Sequence, residues 1–127
     1  MRDNMAELSL YQRLGGYDRI AAIIDTLFGL LRTDSRFSRF AMGRSTDSHR
    51  RAQQLTVEQI CSLSGGPCYY IGRDMKTSHA GLRITQSEWD ANLELTRQAL
   101  QTNGIESREQ AEFLSLFELY KTDIVEG

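Results

Sequence analysis

The chain has 127 residues, enough for one domain, with fifteen Lys and Arg against seventeen Asp and Glu for a net charge of −2. That near balance argues against a nucleic-acid-binding protein, which would need a basic face for phosphates, and 40% hydrophobic residues with ten glycines argue against disorder. No apolar run reaches the roughly 20 residues of a membrane span, Met1 to Asn4 opens no signal-peptide core, and two cysteines cannot frame a secreted scaffold. The expectation is a monomeric cytoplasmic protein with no nucleic-acid or membrane partner.

Capping signals punctuate the chain. Ser9–Gln12, Thr85–Glu88 and Ser107–Gln110 each place a hydroxyl three residues before a Glu or Gln, the pattern of a capping box. A short helix carries Leu10 and Leu14 and stops at Gly15-Gly16. The next predicted helix runs from about Tyr17 to Arg32, with Ile20, Ile23, Ile24, Leu27, Phe28 and Leu31 on one wide apolar face. A third, from about Asp47 to Leu63, is apolar on two sides: Val57, Ile60 and Cys61 on one, Ala52, Thr56 and Ile60 nearer the other. Such a helix suits a wedge between a protein core and a second apolar body.

Gly65-Gly66-Pro67 ends that helix abruptly. The stretch from Cys68 to Gly81 reads as loop, weakly helical around Asp74 to Ser78; Cys68–Ile71 has strand propensity but no partner strand. A long helix follows Thr85, with Trp89, Leu93, Thr96 and Leu100 aligned, and stops at Asn103-Gly104. The last follows Ser107 and places Phe113, Phe117, Tyr120 and Ile124 on one face. The pattern is all-α, a single domain over residues 1–127 without repeats or linker.

Few residues can carry chemistry. The two histidines, His49 and His79, are too few for a structural zinc site, and no phosphate loop, nucleophile elbow or His-Glu-x-x-His is present. A lone histidine is more often a surface residue than a ligand. Cys61 reads as buried apolar packing, with a redox pair to Cys68 as the alternative.

The order of motifs changes the weight on His79. Leu10-Tyr11-Gln12-Arg13-Leu14-Gly15-Gly16, then Asp25-Thr26-Leu27-Phe28, Phe40, and Gly65-Gly66-Pro67-Cys68-Tyr69-Tyr70-Ile71-Gly72-Arg73-Asp74-Met75-Lys76-Thr77-Ser78-His79-Ala80-Gly81-Leu82 resemble the group I truncated haemoglobins over nearly the whole chain. The resemblance implies a two-over-two helical sandwich around haem b. The haem would be non-covalent, since neither cysteine begins a Cys-x-x-Cys-His run. His79 resembles the proximal iron ligand, which would leave the opposite position of the iron open for a gas. Phe40 matches the phenylalanine against the haem face, Phe28 the distal residue of the second helix, and Ala52 and Thr56 distal positions of the third, with Ile60 on the same helix. Met75, Leu82 and Trp89 correspond to proximal wall residues, and Arg73 and Lys76 to propionate partners.

Two departures stand out against that family. The distal position commonly held by tyrosine is Phe28, and the stretch between Phe40 and Gly65 is a few residues longer than usual. Gln53, Thr56 and Gln59 are candidates for the missing hydrogen-bond donor. His49 lies seven residues before Thr56, about 10 Å of helical rise, which puts it near the haem edge or in solvent unless the helix shifts, with ligation of the iron by both histidines as the minor alternative. The implied function is reversible binding of dioxygen, with carbon monoxide and nitric oxide as further ligands, for storage, transport or sensing. The alternatives are nitric oxide dioxygenation with an external reductase, and a haem-free helical interaction domain.

Overall fold

A computed structural model describes residues 8–37, 46–70, 72 and 82–125, and among these residues the chain forms six α-helices. Phe40, Arg73, Met75, Lys76, His79 and the expected turn around Asp74–Ser78 lie outside the described residues. Helix α1 (Leu10–Leu14) starts with the expected capping box: the Gln12 amide N–H donates to Ser9 Oγ at 3.2 Å, and the Ser9 N–H donates to Gln12 Oε1 at 3.0 Å. It ends at Gly15, left-handed at φ 110°. Helix α2 (Tyr17–Thr33) follows, then a 3-10 turn at Ser35–Phe37 that the periodicity did not announce.

Helix α3 (Thr46–Leu63) matches the predicted span to one residue. Helix α4 (Gln86–Thr102) begins at the Thr85 box: the Glu88 amide donates to Thr85 Oγ1 at 3.1 Å, and the Thr85 amide to Glu88 Oε1 at 3.0 Å. The third box does not form. Helix α5 (Ser107–Glu118) has Glu106 at its N-cap, because the Gln110 amide already donates to the Glu106 carbonyl at 2.9 Å. The Gln110 side chain turns its own NH₂ to the Ile105 carbonyl at 2.8 Å instead of accepting from the backbone. The single closing helix expected through Ile124 is also two. The Tyr120 amide reaches back only three residues, to the Phe117 carbonyl at 2.9 Å, which tightens and stops the coil before α6 (Lys121–Ile124).

Helix α2 organises the packing. It lies against both α3 and α4, while α5 packs on α4 and on α1; among the described residues α3 and α4 meet little. The core joins Ile20, Ile23, Ile24 and Leu27 of α2, Val57, Ile60 and Cys61 of α3, and Leu95, Ala99 and Leu100 of α4, with Leu10, Leu14, Ile105 and Phe113 closing it. Each Val, Leu, Ile or Phe side chain among them removed from water is worth roughly 1.5–3 kcal/mol. Phe113 and Phe117 meet edge-to-face, with centroids 5.7 Å apart. Tyr120 is half-buried and Ile124 buried, so the break preserves most of the predicted apolar face.

Helix α1 is fixed at both ends. The Arg13 guanidinium reaches Glu109 Oε2 at 2.7 Å through Nη1 and Glu112 Oε1 at 2.7 Å through Nη2. Those bonds, Glu112 foremost, push the guanidinium up and hold the Glu112 carboxyl below its ordinary range. At the end of α2, hydrogen bonds from Arg36 hold Asp34 down to about 2. On the other side of α1, the Tyr11 amide donates to the Ser64 carbonyl at 2.8 Å. This contact lays α1 directly over the turn after α3. A Cβ on Gly65 would stand 2.9 Å from the Ser9 Cβ, and one on Gly66 would stand 2.4 Å from the Tyr11 ring and 2.7 Å from Cys61 Sγ. Gly65 is also left-handed, at φ 96°.

Cys61 is not a free core thiol. It is bonded to Cys68, with the two Cα atoms 5.8 Å apart. Sequence spacing supplied no distance, and the tight turn at Gly65-Gly66 is what brings the two together. Cys68–Tyr70 is loop, as expected. Beyond the undescribed stretch, Arg83 is the one non-glycine among the described residues with a left-handed backbone (φ 55°), and Ile84 makes a parallel bridge with Val125.

Gly66→Ala is expected to cost roughly 2–3 kcal/mol in chemical denaturation through overpacking. Gly29→Ala, inside α2 with only an Arg32 nitrogen at 3.9 Å, should be neutral or gain up to about 1 kcal/mol. Glu112 is held below its ordinary value, so its contribution is full at neutral pH and drains as pH falls through the folded-state value. Glu112→Gln should therefore lower stability by about 1 kcal/mol at pH 7, a figure reduced for partial exposure. Its difference from the parent chain should close as pH falls below the ordinary glutamate range in urea melts.

Candidate haem crevice

Helix α3 presents the two faces that its sequence implied. Val57, Ile60 and Cys61 are buried in the core, whereas Ala52 and Thr56 on the neighbouring flank are half-buried. Ile60, expected at the cofactor, is 1% exposed and sits within the protein's own apolar cluster. On α2, Phe28 and Leu31 carry the apolar stripe past the core and are only partly covered. These half-covered edges lie on α2 itself and on α3, which meets α4 little among the described residues. Leu82 is exposed, and Trp89, in the first turn of α4, is buried but lies outside the main core cluster.

Hydrogen bonding decides which polar groups are available there. Thr56 Oγ1 donates to the Ala52 carbonyl one turn back, at 2.8 Å, so its proton is spent within α3. Gln53 Nε2 donates to Asp25 Oδ1 of α2 at 3.0 Å, which turns that amide toward α2. Gln59 is half-buried on the same helix. Of the three donors weighed from sequence, two are thus engaged elsewhere. Both the Asp25–Gln53 link and the back-bonded Thr56 escape sequence reasoning, which gives residue types on a face but not rotamers.

His49 stands apart from this flank. With Asp25, Arg32, Arg50 and Gln53 it lines a half-open groove of about 610 Å³ along the joint between α2 and α3. Trp89 shows the opposite situation. Its indole Nε1 is buried with no hydrogen-bond partner among the described residues. Sequence alone marked Trp89 as a wall residue, and gave no sign of its unpaired nitrogen.

Comparison with known proteins accounts for this arrangement. A family model for bacterial-like globins matches residues 9–126. The group 1 truncated hemoglobin GlbN of Nostoc sp. is 30% identical over 101 residues, 80% of this chain and 83% of that protein. The protein of the same name from Mycolicibacterium paratuberculosis is 26% identical over 119 residues, 94% of this chain and 85% of its own. Among solved structures, the ferric truncated hemoglobin of Tetrahymena pyriformis superposes with a TM-score of 0.86 at 22% identity, covering 94% of this chain and all of that one. The two-over-two hemoglobin of Synechococcus, solved with covalently attached heme, gives 0.82 at 21% identity and covers 93% of this chain and 98% of its own.

The residues present fit a haem. A flat apolar ring needs flanks that are apolar yet not sealed by protein, which Phe28, Leu31 and Ala52 supply, and the unpaired Trp89 N–H can serve an acceptor on the bound group. With its all-helical two-over-two fold and a match over almost its full length, the chain belongs to the bacterial-like globin family, as a truncated haemoglobin whose cofactor is haem iron.

Proposed function

We propose that the chain binds dioxygen reversibly, for carriage or sensing, on a non-covalent haem b held through the imidazole of His79, with carbon monoxide and nitric oxide competing for the same position. The observation that carries this reading is the position of the other histidine. The chain has two, and His49 lines the α2–α3 groove with Asp25 and Gln53, which supports His79 as the imidazole for the iron. Ferrous haem iron with one axial imidazole supplies an open coordination position for a diatomic gas.

The chain's own residues set what that position favours. Phe28, Ala52 and Thr56 would form the distal wall, Leu82 and Trp89 the proximal one, together with Phe40 and Met75; Arg73 and Lys76 would meet the propionates. Phe28 has no hydroxyl, the Thr56 proton is committed to the Ala52 carbonyl, and Gln53 is held by Asp25. A polar ligand therefore receives no hydrogen bond from Phe28 or Thr56, and the Gln53 amide is drawn toward α2. Each donor missing from such a site forfeits about 1–3 kcal/mol, or roughly 5- to 150-fold in affinity.

Absorption spectra of the ferric, ferrous and carbon monoxide forms test the reading directly. The parent chain should give a haem spectrum with an open ferrous position, and His79→Ala should lose it and recover it with added imidazole. An unaltered spectrum in His79→Ala would overturn the assignment. Stopped-flow displacement should show dioxygen leaving Phe28→Tyr about 5- to 150-fold more slowly than the parent, while Thr56→Val changes little. No slowing in Phe28→Tyr would show that the distal side already holds a donor.

A further inference from the structure

We propose that the Cys61–Cys68 disulfide is a redox-responsive anchor that fixes the entry of the His79-bearing stretch to α3 and loosens haem when a dithiol reduces it. The haem part rests on the His79 reading above. The anchor itself rests on where the two sulfurs lie.

The bond is not what holds the turn. Ser64 N–H donates to the Ile60 carbonyl at 2.9 Å, Gly65 N–H to Ser62 at 3.2 Å and Gly66 N–H to Cys61 at 2.7 Å, and α1 covers the turn through its Tyr11–Ser64 bond. Backbone hydrogen bonds thus secure the chain as far as Gly66. The disulfide adds a constraint one step beyond Pro67, at Cys68, where the chain departs towards His79, eleven residues on. Its loss would leave the core intact and release that departure point. A 127-residue chain with a shared helical core has no need of a single short-range disulfide for folding, unlike the small secreted domains that depend on them. In a reducing compartment such as the cytoplasm expected from the sequence, protein disulfides are transient and regulatory.

The two sulfurs differ in access. Cys61 is fully buried and Cys68 half-buried, so an attacking thiolate meets Cys68 Sγ. That attack forms a mixed disulfide on Cys68 and expels Cys61 as thiolate, which takes up a proton. The second thiol of the dithiol then displaces Cys68, which leaves as thiolate and is protonated. Two electrons and two protons pass to the protein, and the reductant departs as a cyclic disulfide. Tyr69, next in the chain, is 89% exposed and offers a cleavage point beside the anchor.

The test uses the air-oxidised holoprotein with dithiothreitol as the dithiol. Thiol labelling in denaturant should find none before reduction and two after. Reduction should speed chymotryptic cleavage after Tyr69 and Tyr70, and haem transfer to excess apomyoglobin, each by roughly tenfold. The Cys61→Ala/Cys68→Ala double variant should behave as the reduced protein in either condition, and Cys68→Ser alone should do the same. Two free thiols in the oxidised protein, or reduction that leaves cleavage unchanged, would overturn the anchor. Faster cleavage with unchanged haem transfer would overturn its link to haem. An unaltered haem spectrum in His79→Ala, with redox-dependent cleavage intact, would sink the ligand assignment and leave the anchor standing.

Discussion

The fold depends on one helix finding apolar partners on two sides. Ile20, Ile23, Ile24 and Leu27 of α2 are covered because α3 and α4 both lean on that helix, and neither of those two has a comparable apolar partner elsewhere among the described residues. The same arrangement keeps α3 and α4 apart. That spread leaves the edge of α2 at Phe28 and the edge of α3 at Ala52 and Thr56 only partly covered by the described residues. Burial at the centre and partial exposure at the flank follow from one packing arrangement.

Much of this was legible in the residues. The spacing of apolar positions in α2, the two Ser/Thr boxes at Ser9 and Thr85, and the Gly-Gly-Pro stop after Leu63 are local signals, governed by backbone groups within a turn of each other. Where reading failed, a second energetic choice of similar size was present. Ser107 offers a hydroxyl for a cap, but a helix that starts one residue earlier puts that hydroxyl inside the first turn, and Gln110 satisfies the Ile105 carbonyl instead. The break after Glu118 is likewise a local shift from four-residue to three-residue bonding, which an apolar stripe does not encode.

The crevice was legible as residue types and illegible as orientations. Ala52 and Thr56 could be placed on a flank because helical period is fixed, but whether Thr56 offers its proton outward is a rotamer question answered by the carbonyl four residues back. Gln53 was equally ambiguous until Asp25 of the neighbouring helix was seen to hold it. The cysteine pair carried the least information in sequence. Seven positions separate the two residues, a spacing open to many geometries, and it is α1 lying on Gly65 and Gly66 that folds the chain back tightly enough to join them.

The bridge between Ile84 and Val125 gives the C-terminal end of the described chain a duty of its own. Ile84 sits just ahead of the Thr85 cap, so one of the last described residues braces the point where the chain re-enters the helical body. Purification handles, reporter fusions or surface-coupling chemistry attached at that end would pull on this brace, whereas the same additions ahead of α1 would spare it. Immobilised sensors built from this globin are better tethered by the amino end.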